Sequence, residues 1–305
     1  CILSISLSYF TITNPQEVID RLEPLVPTVT PDPIRLLGVA VLGDSQSDEY
    51  RADDNRGDNY PSATKNWVEL LVENRKMNFG PWGSWDEPRR TGYEYNWSRS
   101  GATVASLLEA EAHVGIAEEV KAKKVNLVVV FVGAIDFAPY FTPDGYDNIY
   151  NGNLSEAVKK RKINRIIADI KTAVYTIKDA GDVRIVLVSI PDWGNHTGIQ
   201  VGFPYPDQRA NVSKMITETN RELVDLSEVE HLGFVDMNSL YQNFPKNDEG
   251  KVVVGDVVLQ RLLLNNNPRN FYMSDGVHYG TIVNGLLANA ILKEMNAQLE
   301  NPILP

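Results

Sequence analysis

IRLLGVAVLGDSQ, residues 34–46, is a nearly continuous apolar run from Ile34 to Leu42 that passes directly into Gly43-Asp44-Ser45-Gln46. An apolar run of this length without polar alternation reads as a strand buried on both faces, as in a parallel sheet covered by helices. Two further runs share the pattern, VNLVVVFVG (125–133) and RIVLVSI (184–190), and GFVDM (233–237) reads as a shorter fourth strand. Between them, residues 66–76, 155–181, 208–226 and 281–299 space apolar side chains three or four apart, the period of amphipathic helices. There is no internal repeat, and strand alternates with helix throughout, which predicts an α/β fold with a parallel central sheet. Long loops follow the strands at 46–65, 77–95, 137–154 and 191–207. Open parallel sheets bind ligands beyond the carboxyl ends of their strands, so the functional site is expected among these loops.

Composition narrows the function. The chain has 305 residues, 43% of them hydrophobic and 23% charged, ordinary values for a globular protein. A net charge of -11 opposes binding to nucleic acid, which requires a local excess of Lys and Arg. The single cysteine, Cys1, provides neither an intramolecular disulfide nor a thiolate cluster for metal. No apolar run reaches the roughly 18 to 20 residues of a transmembrane helix. The reading assigns residues 1–33, rich in proline and acids after an apolar start, to an extension and linker, and residues 34–300 to the fold proper. Ile2 to Phe10 reads as the remnant of an export signal, or Cys1 as the lipidated first residue of a mature bacterial lipoprotein, against the plain alternative of an arbitrary chain start. The favoured location is therefore outside the cytoplasm, secreted or lipid-anchored.

Two short blocks carry chemistry. A serine at the end of a buried strand, preceded by glycine, projects its hydroxyl from a tight turn into the crevice, where a base can reach it; Ser45 occupies that position. Ser274-Asp275-Gly276-Val277-His278 precedes the last helix, and a carboxylate three residues before a histidine can orient the imidazole and fix its tautomer. The same residues could simply cap that helix. Among four histidines, His196 in the loop after the third strand is the competitor to His278; His113 falls in a helical stretch and His231 just before the fourth strand.

Taken together, these blocks resemble the SGNH/GDSL hydrolase family over roughly residues 34–297. The resemblance implies a flavodoxin-like three-layer α/β/α sandwich and a serine ester hydrolase, a carboxylesterase or lipase needing no cofactor and no metal, whose partner is a small acyl ester. It implies Ser45 as nucleophile, Asp275 and His278 from the DxxH block, and an oxyanion hole from the amides of Ser45 and Gly101, the latter by the Asn-to-Gly spacing of Asn96-Trp97-Ser98-Arg99-Ser100-Gly101. The chain departs from the family pattern at Gly133-Ala134-Ile135-Asp136, where members usually carry Gly-x-Asn-Asp and the Asn side chain donates to the oxyanion. Ile135 cannot donate, and loss of one such donor costs about a hundred- to a thousandfold in turnover. Asn55, Asn59 and Asn195 are possible substitutes, and Asp136 is expected to hold backbone amides.

Substrate choice is expected in the loops. Trp82, Trp85, Arg89 and Arg90 in one, and Tyr140 in another, suit a cleft that stacks on a flat or sugar-like face and holds a carboxylate, against the alternative that these rings pack their own loops. The run Asp53-Asp54-Asn55-Arg56-Gly57-Asp58 lacks the alternation and distal Glu of a calcium loop and reads as solvated. Four N-x-S/T sequons, at Asn96, Asn153, Asn195 and Asn211, are assigned no glycan. Three readings result: an esterase, with acylated saccharides among its candidate substrates; a ligand-binding relative that turns over poorly because of Ile135; and a thioesterase or acyltransferase using the same residues.

Overall fold

The computed structural model describes residues 32–52, Arg56, 60–261 and 265–303. The readings made for Cys1, for nearly all of the extension and for Asn55 and Asn59 lie outside the described residues.

In chain order the elements are β1 (Val39–Gly43), α1 (Trp67–Arg75), β2 (Trp82–Ser84), β3 (Thr91–Tyr93), α2 (Val104–Glu109), α3 (Ala112–Lys121) and β4 (Leu127–Phe131). Next come α4 (Ala134–Phe137), α5 (Tyr146–Tyr150), α6 (Glu156–Lys178), β5 (Arg184–Val188), α7 (Pro206–Glu230), β6 (Gly233–Val235) and α8 (Met237–Gln242). β7 (Val253–Val254), β8 (Val257–Val258) and α9 (Thr281–Asn296) close the chain. β1, β4, β5 and β6 form a parallel sheet in the order β1-β4-β5-β6. Each predicted apolar run supplies one of these strands. Alternate side chains feed two cores: Ala40, Leu42, Val128, Val130, Ile185 and Leu187 pack on one face with α3, α6 and α7, and Val39, Val41, Val129, Val186 and Val188 on the other with α1 and α9. The result is the expected three-layer α/β/α sandwich, and burial on both faces explains why the strands carry no polar alternation.

The first run differs from the prediction. Residues 34–38 do not extend β1; Ile34 instead pairs with Leu299, donating to the Gln298 carbonyl at 2.9 Å and accepting from Glu300 N at 3.0 Å. Leu37 N donates to Asn126 Oδ1 at 2.8 Å, just ahead of β4, and Arg184 Nη2 reaches the Asp32 carbonyl at 2.6 Å at the start of β5. The opening residues therefore run along the amino edge of the sheet. The loop at 77–95 contains the β2–β3 hairpin, and that at 137–154 contains α5.

On the outer side of β1, Val41 N donates to the Tyr95 carbonyl at 3.0 Å and Trp97 N returns a bond to Val41 O at 2.8 Å. This single bridge extends the sheet and carries residues 98–101 past the carboxyl end of β1. Gly43 is required here: a Cβ on it would stand 2.5 Å from Ser98 Oγ and 2.7 Å from Ser47 Cβ.

Candidate active site

β1 ends at Gly43, and the chain turns at once, with the amides of Ser47 and Asp48 donating to the Asp44 carbonyl at 3.0 and 2.9 Å. Three neighbours lock this turn. Trp67 Nε1 donates to Ser47 Oγ, Asn66 Nδ2 to the Asp48 carbonyl and Asn96 Nδ2 to the Ser47 carbonyl, at 3.1, 2.9 and 2.8 Å. Asn66 is also the N-cap of α1, in a reciprocal capping box with Glu69, so one residue fixes both the helix and the turn. Asp48 Oδ2 accepts from Ser100 N at 2.8 Å and ties the turn to the 98–101 segment.

Ser45 is buried on this turn and borders a cleft of about 580 Å³ shared with Ser100, Gly101, Ile135, Tyr140, Asp275 and His278. Among the described residues, neither the Ser45 nor the Gly101 amide donates a hydrogen bond, so both remain available to a ligand oxygen. Gly101 adopts φ +76°, a left-handed conformation that favours glycine. Asp275 Oδ1 accepts from Val277 N and His278 N at 2.8 and 3.0 Å, and its Oδ2 stands 2.6 Å from His278 Nδ1. Burial pushes the Asp275 carboxyl up, but the bond from His278 and the two amides outweigh it and hold this carboxyl well below the ordinary carboxylate range. The anion in turn fixes the proton on Nδ1, which leaves Nε2 as the imidazole's acceptor.

His196, the rival base, packs between Trp193 and Tyr272 with ring centroids 5.0 and 4.2 Å away, and burial drives its pKa down to about 3. It is a neutral core histidine away from the cleft lining. Asp136 Oδ2 accepts from Val104 N at 3.0 Å at the start of α2, the amide-holding role expected of it. Ile135 is buried in the core and presents to the cleft where the family places Asn. Asn195 is turned to Asp192 and Ser213, off the cleft.

Of the residues expected to meet substrate, Tyr140 lines the cleft and is 80% exposed. The others are engaged elsewhere. Trp82 lies under the Arg51 guanidinium, and Trp85 Nε1 bonds the Gly92 carbonyl. Arg89 sits over Trp97, 3.7 Å from Glu119, and Arg90 pairs with Glu87. The cleft wall is instead built from Ile135, Ala138, Pro139, Phe141, Trp193, Ile199 and Phe203, drawn from two stretches of chain, 135–141 and 193–203.

Arg56 was also missed. The run 53–58 reads as solvated, yet the Arg56 side chain is 11% exposed and lies against the site. Its Nη2 donates to Ser100 Oγ at 3.0 Å, and its Nη1 stands 3.0 Å from His278 Nε2 and 2.7 Å from Nδ1. Close to both ring nitrogens at once, Nη1 lies off the in-plane Nε2 lone pair, and the guanidinium packs against the His278 ring. Among the described residues, Ser45 Oγ makes no hydrogen bond with His278. Also among them, no cluster of three or more His, Cys, Asp or Glu is arranged to hold a metal ion, and no helix is long and apolar enough to cross a membrane.

At the carboxyl end of a three-layer parallel-sheet fold, a strand-end serine and a histidine line one cleft. The model of the GDSL-like lipase/acylhydrolase family matches residues 39–291, and the chain belongs to that family of ester hydrolases. Similar solved structures include a GDSL-like lipase from Bacteroides thetaiotaomicron, 15% identical, with 86% of this chain and 89% of that one covered and a TM-score of 0.44. An acetyl xylan esterase from Geobacillus stearothermophilus is 17% identical over 87% and 96% of the two chains, TM-score 0.43. An extracellular lipase from Streptomyces rimosus is 15% identical over 83% and 99%, TM-score 0.43. No curated protein matches the sequence.

Proposed function

We propose that the chain is a serine ester hydrolase in which Ser45 is the nucleophile, His278 the general base and Asp275 the residue that orients it. The observation that carries this reading is the single cleft lined by Ser45, Gly101, Asp275 and His278, with Asp275 and His278 joined at 2.6 Å and the Ser45 and Gly101 amides open to a ligand. Ser45 Oγ attacks the ester carbonyl carbon while its proton passes to His278 Nε2. The carbonyl oxygen gains the negative charge and receives the two amides. As the intermediate collapses, the C–O bond to the alcohol breaks and the Nε2 proton leaves with the alcohol. Water repeats the sequence on the acyl-enzyme and restores Ser45.

The apolar wall favours an acyl group of several carbons or an aryl ring over acetate on a saccharide. Each methylene buried there contributes about 0.8 kcal/mol, roughly fourfold in kcat/KM. Hydrolysis of p-nitrophenyl esters from acetate to octanoate tests this: kcat/KM is expected to climb beyond acetate, and a maximum at acetate overturns the acyl assignment. A second reading, a binding protein of the same fold with poor turnover, draws support from Ile135 at the cleft. Reaction of Ser45 with a fluorophosphonate separates the two, since an activated serine is labelled and an idle one is not.

A further inference from the structure

The two walls of the cleft run from the catalytic turn to one aromatic ring. Gly198 sets the first wall against that turn: a Cβ on it would stand 1.9 Å from the Gly276 carbonyl oxygen, between Asp275 and His278. Further along, Phe203 meets α5, its ring centroid 4.6 Å from that of Tyr146 and 5.0 Å from that of Tyr150. The second wall starts at Ile135 and reaches Tyr140, whose ring lies 5.9 Å from the same phenylalanine. Tyr140 holds a left-handed φ of +66°, costly for a bulky residue, and its amide donates to Asp147 Oδ2 at 2.9 Å. After it the chain turns back, and the Phe141 ring comes within 3.6 Å of where a Cβ on Gly101 would stand. The walls therefore converge on Phe203. Tyr146 and Tyr150 are buried and do not line the cleft, so the Phe203 ring is what separates them from it. Its backbone is held on both sides: Phe203 N donates to the Ile199 carbonyl at 3.0 Å, and the Phe203 carbonyl accepts from Arg209 Nη1 at 2.9 Å. A ring packed among three others on a pinned backbone yields little to a longer ligand.

We propose that Phe203 sets the acyl length this site accepts: an acyl chain on Ser45 runs between the two walls and ends against the Phe203 ring. This rests on the assignment of Ser45, His278 and Asp275 given above, and it narrows the substrate class to esters of unbranched acids of bounded length. Each methylene that reaches the walls leaves water and adds to binding, about fourfold in kcat/KM. The first methylene beyond the ring must displace a close-packed aromatic cluster or stay in water, so the gain stops there.

The test measures straight-chain p-nitrophenyl esters from acetate to dodecanoate with the wild type, Phe203→Ala and Phe203→Leu. Wild-type kcat/KM is expected to rise with chain length to a break and then fall. In Phe203→Ala the break moves to chains about three or four methylenes longer, the room a phenyl ring leaves at protein packing density. Phe203→Leu keeps an apolar side chain in the wall, tests the same point if the Ala variant does not fold, and moves the break by about one methylene. A merely structural Phe203 would lower kcat/KM on every ester alike. A break that stays at the wild-type length in the folded variants, or a wild type with no break, overturns the proposal. If the wild type hydrolyses none of these esters, fluorophosphonate labelling of Ser45 decides the hydrolase assignment. Calorimetry with straight-chain alcohols from butanol to dodecanol then decides the ring alone: a length limit that extends in the Phe203 variants supports it, and the same limit in all proteins, or no binding, overturns it.

Discussion

Ile135 is where the local chemistry of this chain parts from its family, and its surroundings show what changing it entails. Its side chain is one of the apolar residues between the cleft and the core that includes Val132 and Phe137. Ile135→Asn places a donor at the oxyanion position and is expected to raise kcat about tenfold or more. The same change buries an amide in an apolar setting, so Tm should fall by several degrees; both readings come from esterase assays and thermal melts on one preparation. Ser45→Ala is expected to lower kcat by about a thousandfold or more, and a variant that retained full esterase activity would rule Ser45 out as nucleophile. Ser45, Gly101, Asp275 and His278 were legible because each belongs to a short block with backbone consequences: a strand end, a left-handed glycine, a turn before a helix. Arg56 was not, because an arginine inside an acidic run offers no period or spacing that separates a solvated side chain from one folded onto an imidazole.

Elements were legible in proportion to the apolar surface they bury. The four sheet strands, α1, α6, α7 and α9 all bury a face or a stripe against the cores, and the pattern of burial is written in the side chains. The β2–β3 hairpin and α5 span only three to five residues each, too short for a period to show. Residues 34–38 misled for the opposite reason: Ile34 and Leu36 are apolar because they pack beside the last turn of the chain, and not because they continue β1. α1 is more than a layer of the sandwich, since its N-cap holds the nucleophile turn. Asn66→Ala removes the capping bond to Glu69 N and the bond to the Asp48 carbonyl together. A loss of about 1 to 2 kcal/mol by denaturant unfolding is expected from the cap, accompanied by a drop in kcat that an ordinary helix cap would not produce.

Across the whole molecule, buried carboxyls set the response to pH. Burial raises Asp44 to about 7, Glu49 to about 8 and Glu119 to about 7, and it also raises Glu69 and Asp136. The folded chain therefore holds protons that the unfolded chain releases near pH 4, and stability falls as pH rises from there through 7 to 8. Asp275 acts in the other direction: its lowered pKa stabilises the fold above about pH 4, and that contribution is lost in acid. Thermal melts should place maximal stability near pH 5, with Tm lower by at least about 5 °C at pH 8.5. A Tm that instead rose between pH 5 and 8.5 would show these carboxyls to be ionised within the fold. The pairing of Ile34 with Leu299 brings the two ends of the folded body together at the amino edge of the sheet, whereas the cleft lies at the carboxyl ends of the strands. In topological terms that body is nearly a closed ring. A short linker joining its ends, with the chain reopened at the exposed turn around Gly250, should give a circular permutant that folds and keeps its catalytic cleft intact.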